Sequence, residues 1–233
     1  GIGIEMVYPF LTRKSDMVLV QHEGQQEILI KKGIKSTIFP NLFAPEKVPS
    51  THNQNSKVFI HVGELQKRKG FIEFFDLVKK APGHFFKVVG QPSGKSGFLF
   101  YEELKSLKNV ILSGRLSHTQ TMQEIADSTA LISTSPMEGF PNIFIEAWAC
   151  GVPVMSLYVD PGGIIEKNNL GVVAHGKMDM LLNALDTLSP NDEFKSRSQA
   201  YVENNHVLNS KRIKEIDSLF KRLLDIPRKS DRS

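Results

Sequence analysis

The sequence predicts an α/β protein built on a doubly wound parallel sheet with helices on both faces. Two observations carry that prediction. From residue 57 onward short β-branched runs alternate with longer amphipathic segments, which is the signature of βαβ units. The composition, 40% apolar and 23% charged over 233 residues, is that of a globular protein able to bury a core.

Each element follows from its pattern. Residues 57–61 (KVFIH) read as a strand, and Phe71, Phe74, Phe75 and Val78 then recur at i, i+3, i+4 and i+7 on a helix. A strand at 85–89 ends in Gly90. A helix at 98–107 leads to a strand at 110–112, a helix at 120–127, a strand at 130–133, a helix at 142–149 and a strand at 152–157. From about Lys177 the pattern is helical, with stripes at Met180, Leu181, Ala184 and Leu185 and at Ile213, Ile216, Phe220, Leu223 and Leu224. Upstream, the stretch 40–56 carries Pro40, Pro45 and Pro49 and ends in a polar run, so it reads as a linker. The residues ahead of it are too few for a self-standing domain, and the first residue is Gly, so the chain is expected to be a piece of a longer protein.

Composition excludes several classes. The charge of +4 is spread along the chain rather than clustered, which argues against nucleic acid as a partner. No apolar run approaches the roughly 20 residues that cross a bilayer, and Glu5, Arg13, Lys14 and Asp16 stand where a signal peptide needs an apolar stretch. With a single cysteine, Cys150, no intramolecular disulfide forms, and a cytoplasmic setting is expected. The seven histidines have no Cys or carboxylate at metal-ligand spacing.

A doubly wound sheet binds ligands at the carboxyl ends of its strands, so the loops there matter most. The first, Gly63 to Gly70, contains Lys67, Arg68 and Lys69 ahead of a helix. Three cations at a helix amino terminus suit a phosphate, although a solvated basic turn has the same composition. The second, Gly90 to Gly97, reads equally as a pocket floor or a plain connection. The third runs from Ser133 to Val154. Pro141 suits a first helical position, and Gly151 closes the helix before the next strand. Glu138 falls in the turn before this helix and Glu146 more than a turn inside it, so both can face one cleft. Carboxylates suit sugar and ribose hydroxyls, and helix-start amides suit phosphate. The spacing alone is weak, since Glu146 also reads as a helix-surface charge.

The block from Ser135 to Val154, with Glu138 and Glu146 framing seven residues, resembles the E-x7-E signature of retaining glycosyltransferases of family 4. Its neighbours match too. His61-Val62-Gly63 followed by Lys69-Gly70 resembles that family's Val-Gly-Arg…Lys-Gly loop, residues 109–114 (NVILSG) its Asn-Val-x-Phe-x-Gly strand, and Gly162-Gly163-Ile164-Ile165-Glu166 its Gly-Gly-x-x-Glu turn. The resemblance covers roughly residues 15–225.

It implies a GT-B fold, two Rossmann-like domains facing a cleft, of which this chain holds the carboxy-terminal, donor-binding one. Residues 1–42 would be the remnant of the acceptor domain, with a strand at 17–20 and a helix at 21–32. Residues 43–56 would be the linker, 57–226 the nucleotide-sugar-binding domain with its C-terminal helices, and 227–233 a disordered tail. The rest of the acceptor domain is the implied partner, through which the enzyme would touch a membrane peripherally, and the chain alone would be inactive.

Residue by residue, the resemblance implies that Glu138 contacts the transferred sugar and that Lys69 pairs with the diphosphate and stabilises the departing nucleotide. Glu146 would meet the ribose. The amides of Gly139, Phe140, Asn142 and Ile143 would meet sugar or diphosphate, while Gly63 and Arg68 line the first loop and Gly90, Arg115 and Leu116 lie near the base. No Asp-x-Asp is present, and neither metal nor cofactor is expected beyond the nucleotide-sugar substrate. The implied reaction is sugar transfer with retention, in polysaccharide or glycolipid assembly.

One position departs from the family: Glu64 stands where an arginine is usual, and a carboxylate there repels a diphosphate. Compensation by Arg68 is the favoured expectation. The alternatives are a non-catalytic nucleotide-binding module of the same fold, for which Glu64 speaks, and a nucleotide-sugar epimerase or phosphorylase. Cys150 and Trp148 are expected to be packing residues, and His118 to lie on the surface.

Overall fold

The computed structural model describes residues 15–44, 48–49 and 57–224. Most of the linker and the tail expected at 227–233 lie outside them. The described residues form two units, one from 15–44 and 206–224, the other ending at Asn205.

In the first unit, β1 (Leu19–Val20) pairs in parallel with β2 (Thr37–Ile38), and α1 (Glu23–Lys31) connects them. Val20, Leu29 and Ile34 form its small core. The last helix, α9 (Ser210–Leu224), belongs here. The Phe43 amide donates to the His206 carbonyl at 2.7 Å, and His206 Nδ1–H donates to the Asn41 carbonyl at 2.8 Å. By these contacts the chain after Asn205 groups with residues 15–44. Ile213, Phe220 and Leu224 on α9 are exposed, and only Leu219 is buried.

The second unit is the predicted α/β layer structure. Its strands are β3 (Val58–Val62), β4 (Phe85–Val89), β5 (Val110–Gly114), β6 (Ala130–Ser133), β7 (Val154–Ser156) and β8 (Gly171–Val173), all parallel, in the order β5-β4-β3-β6-β7-β8. The chain starts in the middle, winds to one edge and then returns to build the other. This is the Rossmann order, with its switch point between β3 and β6. The helices are α2 (Phe71–Lys80), α3 (Gly94–Lys105), α4 (His118–Ala126), α5 (Asn142–Ala149), α6 (Ile164–Lys167), α7 (Met178–Thr187) and α8 (Asp192–Asn205).

Alternation along the strands builds the layers. Phe59, Phe86, Val88, Ala130, Ile132 and Met155 face Phe71, Phe74 and Leu77 of α2, Leu104 of α3, and Leu181 and Leu185 of α7 in one buried core. On the opposite side α4 contacts β3, α5 contacts β6 and β7, and α5 packs on α4 and α8. Trp148 is fully buried there. Its Nε1–H donates to the Leu170 carbonyl at 2.9 Å, and Tyr201 of α8 meets its ring edge-on, so it is the packing residue expected.

Several boundaries move. The expected loop at 90–97 is a loop only to Ser93, because α3 begins at Gly94, four residues before the predicted start. Two glycines in that first turn hid it, glycine being a poor helix former. Pro141 is the N-cap of α5 rather than its first residue, with φ −68° and ψ 118°; its carbonyl receives the Phe144 amide at 3.0 Å. The region after Lys177, expected to be helical, is three helices, α7, α8 and α9. β2 and β8 were not anticipated.

Candidate active site

The carboxyl ends of β3, β4, β5 and β6 carry the loops singled out above, and short backbone contacts bind those loops together. The Gly63 amide donates to the Val89 carbonyl at 2.9 Å, the Gly90 amide to the Gly114 carbonyl at 2.8 Å, and the Leu65 amide to the Gln91 carbonyl at 3.0 Å. Gly90, at φ +149°, must be glycine: a Cβ there would lie 1.9 Å from the Gly63 carbonyl oxygen. The structure thus brings Gly63, Gly90 and the turn Gly114-Arg115-Leu116 onto one edge. Arg115 is exposed and Leu116 half-buried.

The first loop continues as a 3₁₀ turn, Lys67–Lys69, and ends at Gly70 with φ +71°. Here it meets the third loop, where Thr134 is fully buried against it. This close approach sets the Lys69 ammonium on the Glu138 carboxylate, with Nζ 2.6 Å from Oε1 and both side chains largely covered. The predicted catalytic pair is therefore a contact, across 69 positions of sequence.

Arg68 does not reach the third loop. Its guanidinium is 3.7 Å from the Glu64 carboxylate, and its Nε–H donates to Gln66 Oε1 at 2.9 Å, while the Gln66 amide also engages Glu64. The unusual carboxylate is thus held in an exposed cluster beside the cation expected to offset it.

Beyond Glu138, Gly139 is exposed and Phe140 is buried edge-on against Trp148. Asn142 and Ile143 are the first residues of α5. The helix ends as expected: Gly151, at φ +77°, sends its amide to the Trp148 carbonyl at 3.0 Å, and the Val152 amide returns to Ala147 at 2.9 Å. Both bonds together make a Schellman closure. Glu146, mid-helix and 18% exposed, is not a free surface charge. His118, the first residue of α4, places Nε2 3.0 Å from Glu146 Oε1. His118 was expected to be a bystander at the surface, and it is indeed partly exposed, yet it partners a predicted site residue. The sequence signal for it is Ser117-x-x-Gln120, a capping box that sets His118 at the start of a helix on the same edge.

His61 is a further residue, one that nothing in the local sequence pattern marks out. It is buried at the end of β3, donates Nδ1–H to the Ile132 carbonyl at 3.3 Å, and packs on Phe74 with ring centroids 4.6 Å apart. Burial lowers its pKa to about 4, so it is neutral. Its bond joins β3 to β6 across the switch point.

Among the described residues no cluster of three or more His, Cys, Asp or Glu side chains could hold a metal ion, and no helix is long and apolar enough to cross a membrane.

A parallel sheet in Rossmann order, with cations and carboxylates in the strand-end loops, defines a doubly wound α/β protein of the kind that takes its ligands at the carboxyl ends of its strands. The family is narrower: residues 44–222 match the model of the glycosyl transferases, group 1, and the chain belongs to that family. It is 27% identical over 207 residues to the alpha-galactosylglucosyldiacylglycerol synthase of Streptococcus pneumoniae, covering 77% of this chain and 53% of that protein. In fold it is similar to a mutant of S. aureus TarM solved with Fondaparinux, alpha-GlcNAc-glycerol and UDP, with TM-score 0.74, 20% identity, and coverage of 94% of this chain and 46% of that one. It is likewise similar to sucrose-phosphate synthase from Thermosynechococcus elongatus, with TM-score 0.78, 16% identity, and coverage of 95% and 62%. The GT-B likeness expected from the sequence holds, and the chain spans about half the length of the curated relative it matches.

Proposed function

We propose that this chain is the donor-binding part of a retaining glycosyltransferase of family 4. It would hold a nucleotide-diphosphate sugar for transfer to an acceptor bound by a further domain, in cytoplasmic glycolipid or polysaccharide assembly. The observation that carries the reading is the Lys69–Glu138 contact at the strand-end loops. In it a cation suited to a diphosphate and a carboxylate suited to sugar hydroxyls occupy one half-buried spot.

The chemistry follows from charge. As the glycosidic bond breaks, negative charge grows on the departing nucleoside diphosphate, and Lys69 lies where it stabilises that charge most if water is excluded. Glu138 fixes the sugar through its hydroxyls. Glu146, deeper in α5, takes the ribose, and the first turn of α5, from Asn142 and Ile143, offers amides to the sugar and phosphates. No metal or cofactor enters this scheme.

Calorimetric titration of the chain with UDP, GDP and ADP, then with the matching sugar nucleotides, tests it. UDP is the first choice, because TarM was solved with UDP. Saturable binding of one nucleotide is expected, weakened about tenfold or more by Lys69→Ala, as befits loss of a charge-assisted contact. A folded protein that binds none of the three would overturn the reading and favour the non-catalytic alternative.

A further inference from the structure

We propose that His118 is a positioning residue for Glu146, holding one carboxylate oxygen so that the other is presented to the ribose hydroxyls of the donor. This rests on the reading of Glu146 as the ribose carboxylate.

The pair is built from two independently anchored helices. His118 is fixed at the start of α4 by reciprocal bonds, the Gln120 amide to Ser117 Oγ at 3.3 Å and the Ser117 amide to Gln120 Oε1 at 3.0 Å. The Thr121 hydroxyl adds a bond to the Ser117 carbonyl at 2.9 Å. Glu146 is fixed by α5, whose neighbours Ala147 and Trp148 are fully buried. The helices touch where Cys150 Sγ lies 3.8 Å from the Met122 carbonyl. Capping fixes one backbone and core burial the other, and the 3.0 Å contact between Nε2 and Oε1 holds the rotation of the carboxylate.

A carboxylate offers about four acceptor positions, and one imidazole N–H uses one of them. Among the described residues no protein group bonds Oε2, which leaves that oxygen for a vicinal diol. A carboxylate rotating freely would lose entropy on binding the diol. One already held by His118 loses less, so its hydrogen bonds appear more fully as affinity. His118 itself need touch no ligand.

A merely structural ion pair would change stability and leave discrimination between ribose and deoxyribose untouched. The test is therefore a ratio. Affinities for UDP and 2′-deoxy-UDP are measured on the full chain for the wild type and for His118→Ala, His118→Gln and Glu146→Ala, with the GDP and ADP pairs in parallel to cover the unknown base. The wild type is expected to favour the ribonucleotide about tenfold, and His118→Ala to cut that preference about fivefold while leaving the deoxynucleotide affinity in place. His118→Gln, which keeps an N–H donor, should restore most of it. If Glu146→Ala removes the preference and His118→Ala does not, the positioning role is overturned while the ribose assignment stands. If Glu146→Ala leaves the preference intact, the ribose assignment falls and the proposal with it.

Discussion

The Thr134 hydroxyl donates to the Gly70 carbonyl at 2.7 Å, and the Thr134 carbonyl in turn occupies the space that a Cβ on Gly70 would need, 1.8 Å from that position. The first and third loops are thus clamped backbone to backbone. Lys69 and Glu138 flank this clamp, which brings the two loops close enough for their side chains to pair.

Gly70→Ala should therefore damage the site from a distance. It adds a steric clash with backbone to a φ of +71° that L side chains rarely adopt. A loss of roughly 2–4 kcal/mol in urea unfolding is expected, together with loss of nucleotide binding. Thr134→Val removes only the buried hydroxyl bond and should cost about 1–2 kcal/mol. Thr134→Ser keeps the donor and should bind nucleotide as the wild type does. Equal binding by the Gly70→Ala protein would show that the clamp does not place Lys69.

Glu64→Ala should strengthen nucleotide binding. The carboxylate holds Arg68 in an exposed pair, and its removal frees a guanidinium for the diphosphate while deleting a like charge. Exposed charges are screened, so a gain of about two- to fivefold at low salt is expected, fading as salt rises. Titration at two ionic strengths reads it directly. If both Glu64→Ala and Arg68→Ala leave the affinity unchanged, the cluster takes no part in donor binding.

How far the sequence carries is clear from particular elements. The strands at 85–89 and 130–133 and the helix at 142–149 match the structure to the residue, since each is an apolar run bounded by Gly, Pro or polar turns. β2, two residues, and β8, three residues, are too short to show a period, and tertiary pairing makes them strands; the strand expected at 17–20 from the resemblance is present as the shorter Leu19–Val20. The candidate site residues were legible as chemistry, but their partners were not. Nothing local joins Lys69 to Glu138 or His118 to Glu146, because sheet order sets those meetings. Glu64 drew notice as a repulsive charge, and the structure shows why it is tolerated beside Arg68 and Gln66.

Cys150 should be inert in the folded protein. Burial, and then the charges of Glu146 and Asp127, push its thiol up to about 12, and the side chain is covered in the α4–α5 contact. At pH 8 alkylation by iodoacetamide should be at least about a hundredfold slower than in urea, since only the thiolate reacts. Comparable rates would mean that this helix contact opens readily.

His61 should make the second unit sensitive to acid. Burial lowers its pKa from 6.5 to about 4, so between those values the unfolded chain binds a proton that the folded chain refuses. The unfolded state binds more protons in that window, and stability therefore rises with pH across it. The contribution is fully present above about pH 6.5 and is lost as the pH falls through 4. A shift of this size corresponds to about 3 kcal/mol. His206 is shifted in the same direction, also by burial, but lies in the first unit. His61→Asn keeps an N–H donor for the Ile132 carbonyl and never charges. It should be somewhat less stable at pH 7, having lost its packing on Phe74, yet its stability should fall about 3 kcal/mol less than the wild type between pH 6.5 and 4. Parallel urea titrations across that range give the difference. Identical pH profiles for the two proteins would mean that His61 charges without cost in the folded state, and that water reaches the switch point between β3 and β6.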